Sequence, residues 1–154
     1  MVNKLKVIFP VIAIVLVMLF CGCTSQQQTV KYLSPEQVVT TFWTDIGKGD
    51  YSSAYDLAYH PDKNFTRQMW LDEHTSEYGE NGSYITIYSL NVTGSIPVNG
   101  SSSPINVTDM VGNFTDARII LTNATISYRG QNTTGNLSMV VVNTSSGWKL
   151  YSNF

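Results

Sequence analysis

The sequence predicts an α+β domain in which N-terminal helices pack on a curved antiparallel sheet. Two observations carry that expectation. Residues 34–78 repeat apolar side chains at three- and four-residue steps, the period of an amphipathic helix. From Asn81 onward the runs are rich in Val, Ile, Thr and Tyr and are separated by Asn, Gly and Ser clusters, as strands are. Helical runs followed by strand runs give an α+β arrangement rather than an alternating α/β one.

The 154 residues leave room for one domain, and a 43% share of hydrophobic residues is enough for a core. Charged residues make up 13%, about half the usual share. A formal net charge of −2 argues against a nucleic-acid partner, which requires a basic surface.

The elements begin with a leader. Residues 1–23 carry two lysines, then an apolar run over 7–20, then "CGC". That run is shorter than the ~20 residues of a membrane-spanning helix and suits a secretory h-region. Gly22 precedes Cys23, a polar run from Thr24 to Gln28 follows, and residues 24–33 read as a tether. The segment resembles a lipoprotein signal sequence, which implies cleavage before Cys23 and a lipid on its sulfur. Phe20 and Cys21 depart from the usual lipobox. An uncleaved signal anchor is the alternative, and both readings put the domain on the extracellular face of the cell membrane. Cys21 and Cys23 are the only cysteines, so the exported part has neither an internal disulfide nor a cysteine metal ligand.

Residues 34–154 form the expected domain. In "SPEQVVTTFWTDIGKGD", Ser34 is a helix N-cap, Pro35 fits the first turn and Gln37 completes a capping box. Val38, Val39, Phe42, Trp43 and Ile46 give that helix a buried face, and Gly47 and Gly49 end it. Asp50 caps a second helix with Tyr51, Ala54, Tyr55 and Ala58 on one side, stopped by His60-Pro61. "NFTRQMWLDEHTSEYG" reads as a third helix burying Phe65 and Met69, with Trp70 a further candidate. "SYITIYSLNV", "DARIILTNATISYR", "NLSMVVVN" and "GWKLYS" read as strands, with a short extra one possible over residues 105–111. In the second of these the apolar set changes phase, from Ala117, Ile119 and Leu121 to Ala124, Ile126 and Tyr128. That change predicts a bulge near Thr122.

Asn-x-Ser/Thr triplets begin at Asn64, Asn81, Asn91, Asn99, Asn106, Asn113, Asn123, Asn132, Asn136 and Asn143. Only Asn3 and Asn153 lie outside such a triplet, whereas chance would place roughly a fifth of asparagines in one. Turn chemistry accounts for asparagine in loops but not for a hydroxyl so regularly two residues later. The enrichment predicts an N-glycosylated surface, and sugars would keep this charge-poor half of the chain soluble. Asn132 and Asn136 are expected in a loop between strands, with Asn123 and Asn143 also exposed. Leu121, Ile126, Met139 and Val141 beside them are expected to be buried. A lipobox together with dense N-glycosylation resembles an archaeal cell-surface protein.

"SPEQVVTTFWTDIGKGDYSSAYDLAYH" resembles the opening of nuclear-transport-factor-2-like domains, especially small exported lipoproteins of that superfamily. The closing "GWKLY" resembles their last strand. The resemblance implies a sheet wrapped around helices to leave a conical pocket. It also implies the alternative of a pocket enzyme of the ketosteroid isomerase or polyketide cyclase type, using an Asp or His with a Tyr. Tyr55, Tyr84, Tyr88 and Tyr128 are candidates to line such a pocket, while Asp109, Asp116 and Arg118 match no catalytic pair. His60, Asp62, Asp72, Glu73, His74 and Glu77 form the one group of metal-ligating types, but their spacing fits a solvated helix face better than a ligand set. Trp43, Trp70 and Trp148 read as core rather than as a carbohydrate platform. The expectation is therefore a non-enzymatic, tethered domain without a cofactor, binding a small ligand or an envelope partner.

Overall fold

Helix α1, Pro35–Lys48, begins with the expected capping box. The computed structural model describes residues 32–98 and 112–151. The Ser34 hydroxyl accepts from the Gln37 amide at 3.3 Å, and the Gln37 side chain accepts from the Ser34 amide at 2.9 Å. Replacing Ser34 by Ala removes one of these bonds and should cost about 1 kcal/mol in urea denaturation. Gly49 closes the helix in the left-handed region at φ 72°.

Helix α2, Tyr51–Leu57, is capped by Asp50 through the Ser53 amide at 3.1 Å. It ends earlier than the sequence suggests. Ala58–Tyr59 form a short strand, β1, running parallel to the last strand. Helix α3, Arg67–Tyr78, starts at the Thr66 cap and is followed by a 3-10 turn, Glu80–Gly82. The remaining strands are β2 (Ile85–Pro97), β3 (Asp116–Tyr128), β4 (Gln131–Thr144) and β5 (Gly147–Tyr151). The sheet order is β1-β5-β4-β3-β2, antiparallel except at β1, so the sheet is mixed.

The helices cover one sheet face. Val38, Val39, Phe42 and Ile46 of α1 join Tyr51, Ala54, Ala58 and Trp70 against Ile85, Ile120, Val141 and Leu150. Phe42 is buried as expected, but Trp43 is only half-buried, its indole N–H directed at the Met139 sulfur 2.9 Å away. On α3 the buried row is Trp70 and His74, whereas Met69 is 51% exposed. That helix is so polar that its few apolar residues did not fix its phase.

The phase change in β3 has a different cause from the expected bulge. Its register with β4 runs unbroken from Asp116 to Tyr128. The two apolar sets belong to opposite faces: Ile120, Ala124 and Ile126 face the helices, while Ala117, Ile119 and Leu121 face outward. Ile119 and Ile120 are both buried, so at this point the strand is covered on both sides. The register shifts lie instead in β2, between Ile87 and Ser89 and between Val92 and Gly94.

β3 and β4 are joined by a two-residue turn, Arg129-Gly130, with φ of 49° and 81°. Two positive φ values suit the right-handed twist of the hairpin. The loop expected over residues 130–135, with Asn136 at its end, is therefore mostly strand. Residues 105–111 lie outside the described residues.

Candidate functional site

Between helices and sheet, where the resemblance implied a pocket, side chains fill the centre and leave a groove only between α1 and β2. Trp70, at 0% exposure, makes edge contacts with Phe42 and Tyr55 at centroid distances of 6.1 and 5.9 Å. Tyr51 is buried too; its hydroxyl donates to the Gly79 carbonyl at 2.5 Å and accepts from the Gly82 amide at 3.1 Å. Of the tyrosines expected to line a pocket, Tyr88 borders a groove between α1 and β2 and Tyr55 a shallow one beside β1, whereas Tyr84 and Tyr128 line neither. Tyr84, Tyr88 and Tyr128 are exposed, and Arg129 lies over the rings of Tyr84 and Tyr128 at 5.3 Å each. Tyr55 is half-buried and stacks on His60 at 4.3 Å.

The group of histidines and carboxylates is divided by the fold. His74 is 2% exposed, stacked on Trp70 at 3.6 Å with its Nδ1 bonded to the Trp70 carbonyl at 3.1 Å. His60 packs edge-on against the same indole at 5.1 Å. Asp62, Asp72, Glu73 and Glu77 are exposed. The expected solvated face thus holds for the acids and is corrected for His74: the i, i+4 step from Trp70 turns its ring inward. Among the described residues no group of three His, Cys, Asp or Glu could hold a metal ion. Asp116 and Arg118 approach each other at 3.9 Å on β3, and Asp109 lies outside the described residues.

Burial pushes both histidines below their ordinary value of 6.5, opposed by their backbone hydrogen bonds. A lowered folded value means that the unfolded chain binds protons first as pH falls. Stability should be full above about pH 6.5 and decline as pH falls through the unfolded value toward the folded ones. Denaturation midpoints at pH 7.5 and 5.5 check this, and His74→Gln should flatten the difference.

The concave surfaces lie at the margins of the core. A groove of about 420 Å³ runs between Thr40, Trp43, Thr44 and Lys48 of α1 and Ile85–Leu90 of β2. A second, of about 560 Å³, is lined by Asn113, Phe114, Asn143 and Thr144. The three tryptophans form no platform: Trp70 is buried, while Trp43 and Trp148 pack half-buried against the core.

Of the triplet asparagines, Asn99 and Asn106 lie outside the described residues, as does Cys23. Asn64, Asn81, Asn91, Asn113, Asn132 and Asn136 are exposed, Asn123 and Asn143 are half-buried, and none is buried. Asn64 precedes α3, and Asn81 sits in the 3-10 turn at φ 54°. Asn113 donates its backbone amide to the Tyr59 hydroxyl at 3.1 Å. Asn132 and Asn136, expected in a loop, are on strand β4, where they face outward by alternation. Asn123 reaches the outer face in the same way, without a bulge. A triplet spacing of two matches the strand period, so asparagine and hydroxyl share one face. Among their neighbours Val141 is buried, while Leu121, Ile126 and Met139 are half-buried.

No protein-family model and no curated protein matches the chain. Among solved structures the chain is similar to a Campylobacter jejuni protein provisionally described as an NTF2-like transpeptidase. The likeness has a TM-score of 0.44 and 11% identity, and it covers 79% of this chain and 100% of that one. No helix among the described residues is long and apolar enough to cross a membrane.

Proposed function

We propose that the chain is an N-glycosylated domain held at the extracellular face of a membrane through Cys23, with a binding rather than a catalytic role. The observation that carries the reading is the placement of the triplets. All eight described asparagines reach the surface, including those on strands where half the positions face a core. Among the described residues the groove between α1 and β2 is lined by no carboxylate, which favours binding over pocket catalysis. The groove between α1 and β2 is the place for a small ligand or an envelope partner, with Trp43 offering an aromatic face and Lys48 a charge.

Intact mass spectrometry of the native protein tests this reading, because a removed leader, an attached lipid and each glycan shift the mass separately. Cys23→Ser should release the domain to the soluble fraction or leave the leader uncut. Lipid burial contributes about 0.8 kcal/mol per methylene, so its loss removes the attachment once the leader is gone. A wild-type protein that keeps its leader, with Cys23→Ser retained in the membrane, would replace the lipid anchor with a signal anchor. A native mass without glycans would overturn the glycoprotein reading.

A further inference from the structure

Three triplet asparagines form one row across the outer face of the sheet. Asn91 of β2 stands opposite Asn123 of β3, and Asn123 stands opposite Asn136 of β4. Directly opposed residues on antiparallel strands point the same way, with Cβ atoms about 4.5–5.5 Å apart. That spacing is less than the width of a substituted sugar ring. Asn123 is half-buried in the middle, and the other two are exposed.

The flanking members are also at edges. β2 is the last strand in the sheet order, and β4 pairs with β5 only over residues 141–144. Among the described residues, β4 therefore has no second neighbour beside Asn136.

The Asn123 triplet is engaged at both of its working atoms. The Asn123 amide nitrogen donates to the Asn136 side-chain oxygen at 3.1 Å. Turning both amides over gives the reverse bond, and in that orientation the neighbours on both sides, rather than the hydrogen bond, hold Asn123 back. Thr125, the hydroxyl of this triplet, bonds Thr134, the hydroxyl of the Asn132 triplet, at 3.0 Å. N-glycosylation requires that the amide nitrogen attack the anomeric carbon of a glycosyl phosphate donor. The phosphate leaves with the bonding electron pair and the amide gives up one proton. A nitrogen held in the row, with a neighbour on each side, has neither the freedom nor the space.

Resting on the glycoprotein reading, we infer that Asn91 and Asn136 carry the sugars of this row and Asn123 stays bare. The division also suits the edges. An exposed strand edge invites pairing with another chain, and proteins commonly guard it with charge. Neither β2 nor β4 contains a charged residue. Sugars at Asn91 and Asn136 put bulk on both edges, while the bare Asn123 leaves room between them.

Site-by-site glycopeptide mass spectrometry of the native protein tests the inference, repeated on Asn136→Ala. The expected result is occupancy at Asn91 and Asn136, with Asn123 at least tenfold lower. Asn136→Ala removes the amide partner and should raise Asn123 occupancy severalfold. Asn123 occupied as fully as Asn136 overturns the inference, as does no change in the variant. Sugars at Asn64, Asn81 or Asn113 with a bare row also overturn it, but leave the glycoprotein reading standing. Sugars nowhere remove both.

Discussion

Replacing Trp70 with alanine should destabilise the domain by about 3–5 kcal/mol, the range for removing a fully buried aromatic side chain. Its indole is completely buried, and it supports His74, His60, Tyr55 and Phe42 from one position. Its Nε1 also donates to the Tyr51 carbonyl at 3.1 Å, which ties α3 to the start of α2. A domain of this size has ~5–15 kcal/mol in all, so the variant should lose a large part of its folding margin. Phe42→Ala belongs to the same range, because Phe42 lies against the same indole from α1. Urea denaturation followed by tryptophan fluorescence measures both, with Trp43 and Trp148 as reporters in the Trp70 variant. A cost below about 1 kcal/mol for Trp70 would mean that α3 does not pack as described.

Gly49→Ala should cost roughly 2–5 kcal/mol, combining the left-handed penalty with an overpacking one. A Cβ at Gly49 would strike the backbone of Asn81. The approach is reciprocal, since a Cβ at Gly82 would lie 2.9 Å from the Gly47 carbonyl and 3.0 Å from the Gly49 amide. The end of α1 is thereby held against the 3-10 turn that leads into β2. Gly130 supplies the control: it also has a positive φ, 81°, but nothing lies within 4 Å of a Cβ there. Gly130→Ala should show the conformational part alone, about 1–2 kcal/mol. Equal costs at the two glycines would remove the close contact from the explanation.

These two sites differ in what the sequence could say about them. Gly49 was legible as a helix stop, because a left-handed residue after a periodic run is a local requirement. That its missing side chain also admits the Asn81 backbone depends on a residue thirty-two positions away. For Trp70 the local signal failed. Helix α3 has too few apolar residues to set its own phase, and Met69 was as good a candidate until packing against α1 and α2 chose between them.

What the sequence determined by itself is therefore what short-range physics controls. Ser34, Pro35 and Gln37 specify the start of α1, and the Asp50 cap and the apolar steps specify the first two helices. β-branched runs specify the three long strands, and the triplet spacing of two places asparagine and hydroxyl on one strand face. The tertiary structure decided everything that depends on which surface is covered. It converted Ala58–Tyr59 from helix to a strand beside β5, and it moved the irregularity from β3 to β2. It turned His74 inward and left the acids around it in water. Asn91, Asn123 and Asn136 became neighbours only through strand register, because thirty-two residues separate the first from the second. A one-dimensional pattern carries the period of an element, but cross-strand pairing and burial are set by partners far along the chain.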